Sequence, residues 1–354
     1  MQNLTKFLSL LGENVDAILL TSEANRYYCT LGNISEGVAL ITKNGCCYYT
    51  DSRYIEAAEN AIAGLDVKLV DKEHPYTARL AEDIQTMGIQ TLGFEEQMLT
   101  VAEYRVYEEK LKVQFVPMQK EIDSLRWVKE DWELERIRKA QEVTDLAFKQ
   151  IVERITPGMT EKQLQAELIY CLYKNGAEGL SFDPIVVSGQ NTSLPHGVAT
   201  DRVIREGDFV TMDFGVVLNG YCSDMTRTVA VGYATEEMKR VYDTVLQAQL
   251  AGIAATKAGI KGREVDAVAR QVIVDAGYGE YFGHGYGHGI GLQVHESPNC
   301  NPGGDAVMEE NMVSSAEPGI YLPGKFGVRI EDVVVFKADG CENITKSPKN
   351  LIII

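Results

Sequence analysis

Two textures of apolar and polar positions divide the chain. Up to residue 117, short apolar runs bounded by turn residues alternate with amphipathic stretches. VDAILL (15–20), GVALIT (37–42) and GCCYYT (45–50) predict strands. RYIEAAENAI (53–62) and residues 76–87 predict helices, and TLGF (91–94) and VQFV (113–116) predict two more strands. Together they predict an α/β unit of about 120 residues.

After Pro117 the period changes. Leu134, Ile137, Phe148, Ile151 and Ile155 recur at spacings of three and four or their sums. That is one face of a long helix over 129–155, stopped by Pro157-Gly158. Thr160 with Gln163 is a capping-box signature for a second helix, to about Gly176. Thr235, before two glutamates, starts a third that ends near Gly259, and residues 263–276 make a fourth, closed by Gly277. Between the helices lie the strand runs DPIVVSG, DFVTMDFGVV, YCSDMTRTVAVG, NMVSSAEPG and GVRIEDVVVF. Helices mostly in pairs and strands mostly in hairpins predict an α+β fold with a largely antiparallel sheet. A chain of 354 residues is expected to hold two domains, here placed at 1–123 and 124–354.

Composition narrows the class. Hydrophobic residues make up 45% and charged residues 24%, the balance of a soluble globular protein. A net charge of −17 argues against nucleic acid, which requires a basic patch. No apolar run reaches the roughly 18 residues of a membrane span, and MQNLTKFLSLLGENVD does not resemble a secretory signal. The seven cysteines form no CxxC pair and predict free thiols in a reducing, cytoplasmic setting.

Candidate chemistry is confined to the second half. Asn219-Gly220 between two apolar runs predicts a type I′ hairpin turn. Position 218 then faces 221, 213 faces 226 and 215 faces 224, so Asp213 and Asp224 project from one face, diagonally across the pair. Two carboxylates so placed repel each other unless a cation or proton lies between them. The plain alternative is one solvated face of an edge hairpin.

Glu331 lies in the apolar run GVRIEDVVVF, where an acid is costly to bury unless paired or bound to metal. Arg329 is two residues away on the same face and could orient it, whereas Asp332 faces the other way and reads as an ordinary acid. Glu317 ends another apolar run, before Pro318-Gly319. Taken singly, each of these is more often a structural acid than a ligand. FGHGYGHGIG (282–291) holds His284 and His288 between glycines, and reads either as a surface loop or as a ligand loop whose backbone must pass close to something. His196 and His295 also lie in the second half, while His74 reads as a surface residue. Imidazole with several carboxylates suits Mn2+, Fe2+, Co2+ or Zn2+, and bridging carboxylates are what two adjacent ions need.

Asp213, Asp224, His288, Glu317 and Glu331, set in MDFG, YCSDMTRT, GHGIG, EPGIY and GVRIED, together resemble the ligand set of the pita-bread metallopeptidases. SLPHG and VHE complete the likeness, which is to the Xaa-Pro peptidases, aminopeptidase P and prolidase. The resemblance implies a creatinase-type α/β N-terminal domain before a pita-bread catalytic domain. It implies two divalent ions, Mn2+ first, with Co2+ or Zn2+ as alternatives. Asp224 and Glu331 would bridge them, Asp213 would complete one site, and His288 with Glu317 the other. Water activated by the metals would attack, Glu317 would move the proton, His196 and His295 would stabilise the oxyanion, and His284 would line the substrate pocket. Arg329 would fix Glu331.

The implied partners are short peptides with proline second, and the implied assembly is a homodimer. Glu296–Glu310 contains no Lys or Arg to hold a terminal carboxylate, which favours the aminopeptidase P type. The alternative is a prolidase restricted to dipeptides, with Lys325 as one possible cation. A non-catalytic pita-bread binding protein or a metal-free creatinase-like hydrolase would be expected to lose ligands. Methionine aminopeptidase lacks such an N-terminal domain, and nothing resembles the phosphate cradle of a phosphoesterase.

Overall fold

The computed structural model describes residues 2–354. The chain divides into two compact units, one ending at Arg126 and the other spanning Trp127–Ile354.

The first unit is built on one six-stranded sheet. Its spatial order is Asp66–Val70, Cys47–Asp51, Val38–Thr42, Ala17–Leu20, Thr91–Phe94, Gln114–Pro117. The pairings on either side of Val38–Thr42 are antiparallel and the other three parallel. Helices Ile55–Ala61 and Tyr76–Met87 fall where the spacing predicts them. Helices Gln2–Ser9, Glu23–Thr30 and Val101–Leu111, and the strand Asp66–Val70, are additions the pattern did not predict. The sheet buries aliphatic and aromatic residues such as Leu19, Leu40, Tyr49 and Leu92 against Leu80 and Ile84.

The second unit carries four long helices, Asp131–Val152, Glu161–Lys174, Glu236–Ala255 and Gly262–Asp275. Two of their starts follow the predicted caps. Thr160 accepts from the Gln163 amide within a reciprocal capping box, and the Thr235 hydroxyl accepts from the Met238 amide. Strand pairs between named strands are all antiparallel in this unit. Phe148 and Ile151 of the first helix pack with Leu168, Met212 and Met225, and Ile137 is buried as well, so the long helix backs the strands that carry the acids.

The hairpin register is the predicted one. Asn219 and Gly220 take φ of 50° and 79°, the two left-handed positions of a type I′ turn. Leu218 pairs with Tyr221, and Asp213 with Thr226. Three runs expected to be continuous are broken, however. The hairpin arms separate into Phe209–Phe214 with Val216–Leu218, and Tyr221–Cys222 with Met225–Ala230; GVRIEDVVVF separates into Phe326–Arg329 and Asp332–Lys337. At Gly215 a Cβ would collide with the Ser223 carbonyl, so the arms approach there too closely for a side chain. Asp224 and Glu331 both sit in these breaks. There the chain leaves one sheet for another, and the Glu331 amide donates to the Thr226 carbonyl at 3.1 Å.

Candidate metal centre

The breaks deliver the acids to one cavity of about 780 Å³, lined entirely by residues of the second unit. Its walls include Asp213, Asp224, His288, Glu317 and Glu331, with His196, His284, His295 and Arg329. The candidate ligands, the three histidines and Arg329 therefore meet at one place.

The donor atoms crowd together. Asp224, His288 and Glu331 each offer an atom within 4.8 Å of the others, the one such group among the described residues. His288 Nε2 lies 3.1 Å from Glu317 Oε1 and 3.6 Å from Asp224 Oδ2. The other ring nitrogen, Nδ1, faces the Gly289 carbonyl at 3.1 Å. A carbonyl accepts only, so Nδ1 carries the proton, and in a neutral ring Nε2 presents its lone pair to the carboxylates.

Asp213 Oδ2 accepts from Arg329 Nη2 at 2.5 Å. Asp213 Oδ1 and Asp224 Oδ1 are buried without a hydrogen-bond partner. Glu331 Oε2 accepts from the Thr226 hydroxyl at 2.7 Å, and Glu317 Oε1 from the Ser315 hydroxyl at 3.0 Å.

Electrostatics agree with this geometry. Burial, then the neighbouring Asp213, pushes the Asp224 carboxyl well above its ordinary range. Burial, then Asp224, does the same to Glu331. Burial pulls His288 down, but the adjacent Glu317 and Asp224 outweigh it and carry the imidazole up to about 9. Glu317 is held low despite burial because His288 stands against it. Orphaned buried carboxylate oxygens, mutual repulsion and an imidazole Nε2 aimed among them, whose proton a cation would displace, are the donor set of a divalent cation site.

The remaining candidates separate. The ring of His295 packs on that of His288, with centroids 4.2 Å apart. His196 is exposed on the cavity wall. His284 spends its nitrogens inside the protein, Nδ1 at 2.8 Å from the Gly285 carbonyl and Nε2 at 2.9 Å from the Tyr321 hydroxyl. That hydroxyl accepts from Arg329 Nη1 at 2.7 Å. Arg329 reaches Glu331 only through Thr226, whose hydroxyl accepts from Arg329 Nε at 3.0 Å.

Asp332 is not the ordinary acid expected. It is fully buried, paired with Arg227 at 2.7 Å and Lys349 at 2.8 Å. Lys325 is not among the cavity residues and pairs with Glu237 at 2.9 Å.

Thr226, Tyr321, Asn299 and Asn301 are cavity or supporting residues that the sequence reading missed. Thr226 had a signal, since the predicted register sets it opposite Asp213. The others had none.

Residues 135–338 match metallopeptidase family M24, and residues 2–128 match the creatinase/prolidase N-terminal domain. The chain belongs to metallopeptidase family M24, with a creatinase-type domain ahead of the pita-bread domain. Its full-length relatives include the Xaa-Pro dipeptidase of Pyrococcus horikoshii, 36% identical over 99% of both chains. Among solved structures, the Xaa-Pro dipeptidase of Bacillus anthracis is 43% identical with a TM-score of 0.96, covering 100% of this chain and 99% of the other. The X-Pro aminopeptidase of Thermotoga maritima is 38% identical with a TM-score of 0.93, covering 99% of each.

Proposed function

We propose that this metallopeptidase is an Xaa-Pro dipeptidase, acting on dipeptides with proline in the second position. The observation that carries the reading is the convergence of Asp213, Asp224, His288, Glu317 and Glu331 on one cavity, with two buried carboxylate oxygens left without partners. Full-length similarity to Xaa-Pro dipeptidases supports the dipeptide class over the aminopeptidase P reading.

In this reading Asp213, Asp224, His288, Glu317 and Glu331 would hold two divalent cations, Mn2+ first, with Asp224 and Glu331 shared between the two sites, Asp213 serving one and His288 with Glu317 the other. Bound there, the ions would supply Lewis acidity and lower the pKa of water toward neutrality. Arg329 holds Asp213, and Thr226 holds Glu331, so that both carboxylates face inward. Glu317 accepts a proton from the attacking water and passes one to the prolyl nitrogen. His196 and His295 donate to the carbonyl oxygen as charge develops on it. His284 acts from the wall by holding Tyr321. The tertiary amide of an Xaa-Pro bond has no N–H to offer a strand, so a walled cavity with histidine donors suits it.

One observation favours the aminopeptidase type as a second reading. Arg329 is the one Lys or Arg among the cavity residues, and Asp213 and Tyr321 occupy it. A fixed cation for a terminal carboxylate is therefore missing from this wall. No helix among the described residues is long and apolar enough to cross a membrane. All seven cysteines are free, which supports a cytoplasmic setting. A homodimer belongs to the same reading, and sedimentation equilibrium tests it. Metal-stripped protein, assayed on Ala-Pro before and after Mn2+ or Co2+, tests the activity: recovery is expected, and none with any divalent ion would contradict it.

A further inference from the structure

A further buried charged pair lies next to His295 in the chain, outside the cavity residues and the roles assigned above. Lys129 Nζ meets Glu296 Oε1 at 2.8 Å, and their side chains are 1% and 4% exposed. Lys129 is also pinned at both ends. Its amide donates to the Asn311 carbonyl at 3.1 Å, and Nζ donates to the Trp127 carbonyl at 3.2 Å.

Glu296 follows His295 directly and opens the strand Glu296–Cys300. It pairs with Gly289, the residue after His288, and its carboxylate fills the space a Cβ on Gly291 would need. Glu296 is therefore locked to the glycine-spaced strand by backbone and to Lys129 by charge. His295, by contrast, has no hydrogen bond to its ring among the described residues, and its ring packs on that of His288.

A buried ion pair is a poor source of stability, because desolvation offsets most of its attraction, while loss of one partner strands the other charge. Its use here is better sought in placement.

We propose that Lys129, through its buried ion pair with Glu296, is a positioning residue that sets the His295 ring in the substrate cavity. The inference rests on the reading of His295 as a donor to substrate.

The test is a double-mutant cycle on the Mn2+-loaded full chain with Ala-Pro, paired with a substrate-free measurement. Lys129→Met should lower kcat/KM by about 10–100-fold, the range for lost orienting partners. In a His295→Ala background the same change should cost under about twofold, because residues acting as one unit are not additive. In metal-free protein labelled at histidine Cε1, the His295 signal, assigned by its loss in His295→Ala, should move in Lys129→Met.

Should Lys129→Met not fold by circular dichroism, Lys129→Met/Glu296→Gln removes both charges and leaves no stranded ion. The same loss and the same moved signal are expected there. Wild-type kcat/KM with an unmoved His295 signal, or losses that multiply with His295→Ala, would overturn the proposal. If wild type itself cleaves no Xaa-Pro substrate, the functional reading fails, and the His295 signal alone decides the positioning role.

Discussion

The Thr226 hydroxyl donates to Glu331 Oε2 at 2.7 Å while accepting from Arg329 Nε at 3.0 Å, and Arg329 in turn holds Asp213. One hydroxyl thus ties together two acids that approach from different sheets, on a residue with no exposed surface. Thr226→Val keeps the shape and removes the link. Mn2+ affinity measured by calorimetry on stripped protein should weaken about tenfold or more, with little change in the fold. Unchanged affinity would detach Thr226 from the metal centre.

Glu317 stands 3.1 Å from His288 Nε2 and accepts from Ser315, so it is oriented before substrate arrives. Glu317→Ala should lower kcat by at least about a hundredfold, the smaller end of general acid–base effects. Circular dichroism should stay that of wild type. Substantial residual turnover would reject its role in proton transfer.

Without cations, Asp224 is repelled by Asp213 and buried without a partner on Oδ1. Metal-free Asp224→Asn should therefore melt above metal-free wild type. Mn2+ at a hundred times its Kd should stabilise wild type by about 2.7 kcal/mol, and Asp224→Asn by distinctly less. Calorimetric melting of the two proteins with and without Mn2+ checks both signs. Equal gains on adding Mn2+ would exclude Asp224 as a ligand.

Four of the five glycines of FGHGYGHGIG, all but Gly283, have protein atoms where a Cβ would stand. A Cβ on Gly287 would meet the Ser315 carbonyl, one on Gly289 the Glu296 carbonyl, and one on Gly285 the Asn301 side chain. Gly287→Ala should therefore cost stability, by about 1–3 kcal/mol if the strands can give way. Chemical unfolding measures it, and a neutral result would mean that this close approach is not required.

What was legible in the sequence was local. The Asn219-Gly220 turn fixes the hairpin register, because two left-handed residues admit one pairing, and Asp213 came to lie opposite Thr226 as expected. Helix starts at Thr160 and Thr235 followed from side chains capping amides three residues on. Illegible features depended on distant partners. The breaks at Gly215, Ser223–Asp224 and Ile330–Glu331 arise where strands change sheets, which no run of apolar residues announces. Asp332 read as ordinary because Arg227 and Lys349 meet it only in the folded unit. The glycines signalled a close approach, which is visible in a sequence, but not which atom makes it. Helices such as Glu23–Thr30 were too short for a clear period.

The most direct measurement compares kcat/KM for Ala-Pro and Ala-Pro-Ala on the Mn2+-loaded enzyme. A dipeptidase should prefer Ala-Pro by about tenfold or more, as expected when a site is shaped around one terminal group. Equal or faster cleavage of Ala-Pro-Ala would contradict the dipeptidase assignment in favour of the aminopeptidase type, and cleavage of neither would contradict the Xaa-Pro reading itself.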